Sequence, residues 1–567
     1  MFISRVHSKG KGDRQYVSVL LRQSTRVGKS VVSKTLAILT DLPDWLIAVV
    51  ENAVKQGKDA QSITQLADAA DGRLRLRCAE SFGAAFLVHE VAKACAIPKA
   101  LGTSEDAKLA LWQVCARVLA PATSLLAMIR LAGRCAAPAL LGFKTSFNED
   151  DLYANGAWLA SRQAKVEAKL WHENPLSTAP SKSLFLYDVT SSYFEGQHNA
   201  LADFGYNRDK TKGKKQLVMG LLTDESGEPL SVSLFPGNTS DLNTFNTQLE
   251  TLKNTFEQQH ITLVGDRGMI RKPQQIAANQ AGHHYISALH KAEIQTLLKA
   301  GEIQMSFFDN TVHETHLEDG RRLVTRCNPT RRDEIQAARR GFEERLRTWL
   351  EKANLYLLEH PKARVATQLK NGALRLKRGH LNVWLRLEAK ERTLCLIADE
   401  GLLQEHSKLD GCYAIVTDLA ASVADAQTVH DRYKDLAKVE ADFRTLKHGH
   451  LEIRPWYVLT EANTRAHALT AMLALKIRRR LQSAWEPLNI TVEEGLADLA
   501  NLCVMEFYET TTGQTVSRQI PDPSASQASL LAAMGVTLPE KAPVVGPVVV
   551  TRVKLNQRRK SSENHCL

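Results

Sequence analysis

Four short apolar runs follow one another between residues 183 and 265, and their spacing leaves few ways to fold. Ser183–Val189, Gln216–Thr223, Leu230–Phe235 and Ile261–Gly265 are each strand-sized. Only the turn-forming Asp224–Gly227 separates the second from the third, so that pair should run antiparallel. Helical spacing over Leu242–Phe256 precedes the fourth run. The pattern predicts an α/β core with a three-stranded antiparallel portion.

The rest of the chain differs in character. A Pro, Ser and Thr-rich stretch, Asn174–Ser183, reads as a linker. Before it, residues 81–98, 104–120, 122–133 and Leu152–Trp171 have helical spacing, and Pro43 opens a further helix that Gly57 ends. Near the start, β-rich runs at Gln15–Leu21 and Val31–Leu39 flank the basic turn segment Gln23–Lys29. Eight Lys/Arg face one acid, Asp13, between Arg5 and Lys34. Such a ribbon can sit in a DNA groove or simply be a solvated hairpin. Beyond 290 a helix is expected over Asp333–Leu358, with strands at 382–387, 393–398 and 412–417. Further helices are expected at Ala426–Leu446 and Glu461–Leu481, and a mobile tail beyond about 537.

Length bears on organisation: 567 residues suit about three or four domains. With 44% hydrophobic and 24% charged residues, disordered and collagen-like classes are out. The most apolar stretch, Leu119–Leu141, is broken by Arg130 and Arg134, and Met1–Arg14 lacks the apolar centre of a secretory signal. Nine scattered cysteines form no C-x-x-C pair, which fits a reducing cytosol. These features predict an intracellular protein without a membrane span. The formal charge of +11 favours a polyanionic partner.

Three carboxylates stand out. Asp188 closes the first apolar run, Asp266 follows the fourth, and Glu440 lies on the helix that holds Tyr433-Lys434-Asp435-Leu436. Two strand ends and a helical Glu brought together would give a cluster of hard oxygen ligands. Like charges so close need a cation. Mg²⁺ favours such oxygens, and two ions could activate a water or a 3′-hydroxyl for in-line displacement. Taken singly, each Asp could be a turn former, and Glu440 could pair with Arg444 at i+4. On an unbroken helix, Tyr433, Leu436, Glu440, Arg444 and Lys447 share one face, which suits a metal site beside phosphate. Arg208 and Lys210, with Lys212, Lys214 and Lys215, form a basic loop that either touches DNA phosphate or is merely a charged loop. His283-His284 and His448-x-His450 lack partners at zinc spacing.

The sequence resembles DDE-type insertion-sequence transposases, and within them the IS-four-like group. That group's signature is Tyr, two residues, Arg, three residues, Glu, six residues, Lys. It falls on Tyr433, Leu436, Glu440 and Lys447, with Leu436 in place of the Arg. Arg432, Lys438 or Arg444 could supply the missing charge. The likeness also runs through Tyr187–Glu195, Gly205–Lys210, Pro236–Asp241, Gly265–Met269, Asp410–Tyr413 and Leu451–Tyr457.

The resemblance implies an RNase H-like mixed-sheet core interrupted by an inserted β-rich and helical domain. The expected divisions are a mostly helical DNA-binding region with a β-hairpin (1–175), a first core part (180–290), the insert (291–425), a second core part (426–485) and a C-terminal region (486–567). It further implies metal-dependent cleavage at terminal inverted repeats and strand transfer into target DNA by a cytoplasmic homodimer. Asp188, Asp266 and Glu440 would hold two Mg²⁺ ions, Mn²⁺ being an alternative, while Tyr433 and Lys447 would grip the backbone. A nuclease without strand transfer and a catalytically silent DNA-binding relic remain as alternatives.

Overall fold

The computed structural model describes residues 2–9, 15–27, 30–40, 74–120, 124–173 and 184–544, together with 42, 47, 50, 51 and 54. Within the longest span, residues 207, 209, 210, 212, 259, 450, 454 and 455 fall outside the description. So do the expected linker Asn174–Ser183 and most of the helix read from Pro43. The chain divides into two compact units: residues 1–159 with 473–567, and residues 160–472. No helix among the described residues is long and apolar enough to cross a membrane.

The first unit opens with a three-stranded antiparallel sheet in the order β1 (Phe2–Lys9), β2 (Gln15–Val27), β3 (Ser30–Ile38). The expected hairpin therefore gains a strand, and the segment read as a turn, Gln23–Lys29, is strand as far as Val27. Residues 23–26 and 31–35 are exposed, so this end has no apolar alternation to mark it as strand. Val19, Leu21 and Leu39 are buried in a small core with Ile47 and Val50, and Ile3, Leu36 and Ala37 pack against it. A fourth strand, β4 (Leu74–Ser81), was not expected from sequence. Helices follow at Gly83–Ala94 and Glu105–Leu119; the second is capped by Ser104, whose hydroxyl accepts from Ala107 N at 3.2 Å.

The second unit is built on an eight-stranded mixed sheet. Its first five strands are β5 (Leu184–Tyr193), β6 (Gln216–Asp224), β7 (Pro229–Pro236), β8 (Thr262–Gly265) and β9 (His284–Ala288). β5, β6 and β7 form an antiparallel meander, as the short turn requires, while β8 and β9 run parallel to β5. Three more strands, β10 (His313–His316), β11 (Arg322–Cys327) and β14 (Cys412–Thr417), extend the sheet antiparallel beyond β9. The order is β10-β11-β14-β9-β8-β5-β6-β7. The span read as an insert thus contributes strands to the central sheet. Its remainder, the 31-residue helix Pro329–Glu359, the helix Val365–Arg378 and the ribbon β12 (Leu385–Lys390)–β13 (Thr393–Ala398), encloses its own apolar clusters around Trp384 and Leu357.

The helix Gln163–His172 lies against β7 and buries a charge there. The Glu167 carboxylate accepts from Gln163 Nε2 at 2.8 Å, Ser231 Oγ at 2.9 Å and Val232 N at 3.3 Å. Burial pushes its pKa up to about 7 despite those bonds. A carboxyl raised in the folded state favours the protonated form, so its contribution to stability is complete below the unfolded value and is lost as pH rises through about 7. Glu167→Gln should therefore flatten the loss of stability between pH 5 and 8, with a gain of at most about 3 kcal/mol at the upper end. Urea unfolding at several pH values reads this directly; identical profiles for both proteins would refute it.

The first unit is completed by β15 (Cys503–Glu509) and β16 (Thr515–Gln519), with β15 between β4 and β16. Gly83 lies where an added Cβ would stand 2.6 Å from Leu499 O, so only glycine permits this close approach.

Candidate active site

Asp188 sits within β5, one residue beyond Tyr187, which is in register with Gly265 of β8. Asp266 is the next residue after Gly265. Parallel pairing therefore carries the two carboxylates forward side by side on adjacent strands, Asp266 just past the end of β8 and Asp188 inside β5, which runs on to Tyr193 instead of ending at Val189 as expected. Asp188 accepts a hydrogen bond from Val189 N at 2.8 Å, and Asp266 one from Tyr433 Oη at 3.4 Å.

The third carboxylate arrives on a helix that packs on β5. The expected single helix is two, Ala426–Lys434 and Leu436–His448, meeting at Asp435. In the second, Leu436, Val439, Phe443 and Leu446 are buried at spacings of three and four, which fixes its inward face. Glu440, beside that stripe, is exposed. Together Asp188, Asp266 and Glu440 line one cavity of 470 Å³, with Arg208, Asp241, Tyr433, Lys434 and Leu436 also on its wall.

The electrostatics follow from this convergence. Burial first, and then the neighbouring Asp266 and Glu440 charges, push the Asp188 pKa up to about 7. The nearest cation, Arg208, is already committed to an ion pair with Asp241. Tight backbone packing holds Arg208 in place: its N–H donates to Ser191 Oγ at 2.9 Å, and Gln216 Nε2 spans Tyr206 O and Gly237 O at 3.1 and 2.8 Å. A Cβ on Gly205 would stand 2.0 Å from Gly237 O, so only glycine permits this close approach. At the other end of β5, buried Trp456 donates to Ser192 Oγ at 2.9 Å.

Several expected contacts fall elsewhere. Lys447 is buried and does not border the cavity, and exposed Arg444 does not border it either. Of the residues expected on one helix face, Tyr433, Leu436 and Glu440 border the cavity. Lys447, however, lies seven residues past Glu440, about 10 Å along the axis, and the lining stops at Phe443. Of the proposed substitutes for the absent signature Arg, Arg432 pairs with Asp435 at 3.2 Å and Glu225 at 3.7 Å, while Lys438 pairs with Asp435 at 2.9 Å. Among the described residues, two cations do line the cavity: Arg208, which the sequence reading named, and Lys434, which it passed over although it adjoins Tyr433. Asp241 was missed likewise. Lys210, and His448 and His450 as potential ligands, lie outside the described side chains.

A family model described as a transposase DDE domain matches residues 179–477. The chain belongs to the DDE transposase family. Among solved structures, a piggyBac transposase synaptic complex with hairpin DNA is similar over 68% of this chain and 79% of that chain, at 8% identity and a TM-score of 0.31. No curated protein matches the chain in sequence. Transposases of this family generally use divalent metal ions. Here the donor set suits a hard cation in kind, since three oxygen donors border one cavity and Arg208 offsets only part of the repulsion at Asp188. Among the described residues, no group of three His, Cys, Asp or Glu side chains is closed around a metal position. The carboxylates of this transposase border a shared space without yet enclosing a point within it.

Proposed function

We propose that this DNA transposase cuts at the terminal inverted repeats of its element and joins the freed 3′-hydroxyl to target DNA, with Asp188, Asp266 and Glu440 as the catalytic set. The observation that carries the reading is their meeting on one cavity from two adjacent strands and a helix. The order β7-β6-β5-β8-β9, with an antiparallel meander and two parallel strands beyond it, supports an RNase H-like core. The long span between Asp266 and Glu440 supports an interrupted core and, with Tyr433 and Glu440 on the wall, the IS-four-like group.

Two Mg²⁺ ions held by the three carboxylates would supply a nucleophilic oxygen and neutralise the leaving one. This chain's own groups do the rest. Asp188 presents its oxygens from within β5 and Asp266 from the residue after β8. Glu440 approaches them across the cavity, and Tyr433 holds Asp266 in orientation through its hydroxyl. Buried Leu436 and Phe443 narrow the wall on the helical side and limit water. The basic β1–β3 sheet is the natural candidate for reading end DNA, and a homodimer acting in the bacterial cytoplasm would bring two ends together.

The test is a gel assay with end DNA, target DNA and Mg²⁺ that resolves nicked from joined strands. Metal-dependent nicks followed by joined products are expected. Nicks that never join would reduce the protein to a nuclease, and no cutting under any divalent ion would remove the catalytic reading.

A further inference from the structure

Beside the carboxylate cavity lies a recess of opposite charge. Its near part, 230 Å³, shares Asp266 and Tyr433 with the cavity and is also walled by Arg267, Lys291 and Tyr413. Its far part, 330 Å³, keeps Arg267, Lys291 and Tyr413, adds Lys434 and Arg331, and has no carboxylate on its lining. Lys434 belongs to both the carboxylate cavity and this far part, so the two spaces adjoin.

The cations are held toward the opening in different ways. Lys434 Nζ stands 4.7 Å from the centre of the Tyr413 ring, and the Tyr413 hydroxyl is fixed by His430 Nε2 at 2.7 Å. Burial and Arg326 lower the Lys434 pKa from its ordinary value, as expected for a cation lacking a carboxylate. Lys291 leans on buried Asp410 at 3.4 Å, and that acid is shared with Arg339 at 2.7 Å. Arg331 makes only a surface pair with Glu334. It lies in the first turn of the helix Pro329–Glu359, whose dipole adds to the same positive field.

A polyanion entering a pocket of three acids meets repulsion unless cations beside it hold the neighbouring phosphates. From this juxtaposition we infer that the recess binds the sugar–phosphate backbone of one DNA strand where it leaves the carboxylate cavity. Arg267 and Lys434 hold the end nearer the carboxylates and Arg331 the far end. The inference rests on the DNA-cutting reading above and adds to it the path of the strand.

The test compares full-length protein with Arg331→Gln/Lys434→Gln by fluorescence anisotropy, on end DNA and on random duplex, across a salt series. Loss of two phosphate contacts should flatten the slope of log affinity against log salt by about 1.8. The loss should be equal on both DNAs, each single variant should lose about half of it, and Arg331→Lys/Lys434→Arg should restore it. An unchanged slope in a variant that melts like the parent overturns the inference and leaves the cutting reading intact. Loss confined to end DNA would mean base readout and overturns it as well. Failure of the parent protein to bind any DNA would instead sink the cutting reading, and this inference with it.

Discussion

Asp188→Asn should reduce cutting of end DNA by about 10⁴-fold or more, the scale on which removal of a central catalytic group acts, while leaving the protein at least as stable. The two halves of this result have one cause. Asp188 is held where burial and two like charges disfavour its ionised form, so a neutral amide of the same shape relieves that repulsion. Its Oδ1 can still accept from Val189 N. Asp266→Asn and Glu440→Gln should lose activity on a comparable scale. Single-turnover cutting and thermal melting on the same preparations check both halves. Near-normal cutting by any of the three would remove that residue from the catalytic set, and a large fall in melting temperature for Asp188→Asn would mean that its carboxylate has a structural role.

Asp410→Ala has the opposite signature. The Asp410 carboxylate is wholly buried and bridges Arg339 and Lys291, and the following Gly411 turns at φ +74°, where an added Cβ would stand 2.4 Å from Asn328 O. Removing one partner of such an arrangement leaves cations without compensation, which costs about 3–5 kcal/mol. Urea unfolding should show a midpoint far below that of the parent. Arg331→Gln offers the contrast: its exposed pair with Glu334 should be worth about 0–1 kcal/mol. Equal midpoints for Asp410→Ala and the parent would show that the bridge does not stabilise the fold.

The β5–β8 part of the sheet was legible because each of those strands carries its own apolar run and the single turn at Asp224–Gly227 fixes the direction of the meander, whereas the five-residue β9 was not read. The carboxylates were legible because an Asp placed after an apolar run stands out, although only Asp266 follows a strand end and Asp188 lies inside β5. Strands at the margins were not. β4 pairs with β15, more than four hundred residues away, and no local pattern announces a partner so distant. Residues 5–8 of β1 and 23–26 of β2 are exposed without alternation, so no period-two pattern marks them as strand. The helix break at Asp435 was hidden because Tyr433 and Leu436 keep helical spacing across it. The state of Arg208 was hidden too, since its charge in sequence says nothing of the Asp241 that neutralises it.

The parallel seam between β5 and β8 sets how far the gene can drift. Two of the three acids owe their positions to ladder pairing across that seam, so a slip of one residue would turn Asp188 to the opposite face of the sheet. The helix bearing Glu440 is docked by side chains, and the ribbon β12–β13 belongs to a separate small sheet. Length changes within that ribbon should leave the acids aligned, whereas β5 and β8 admit none.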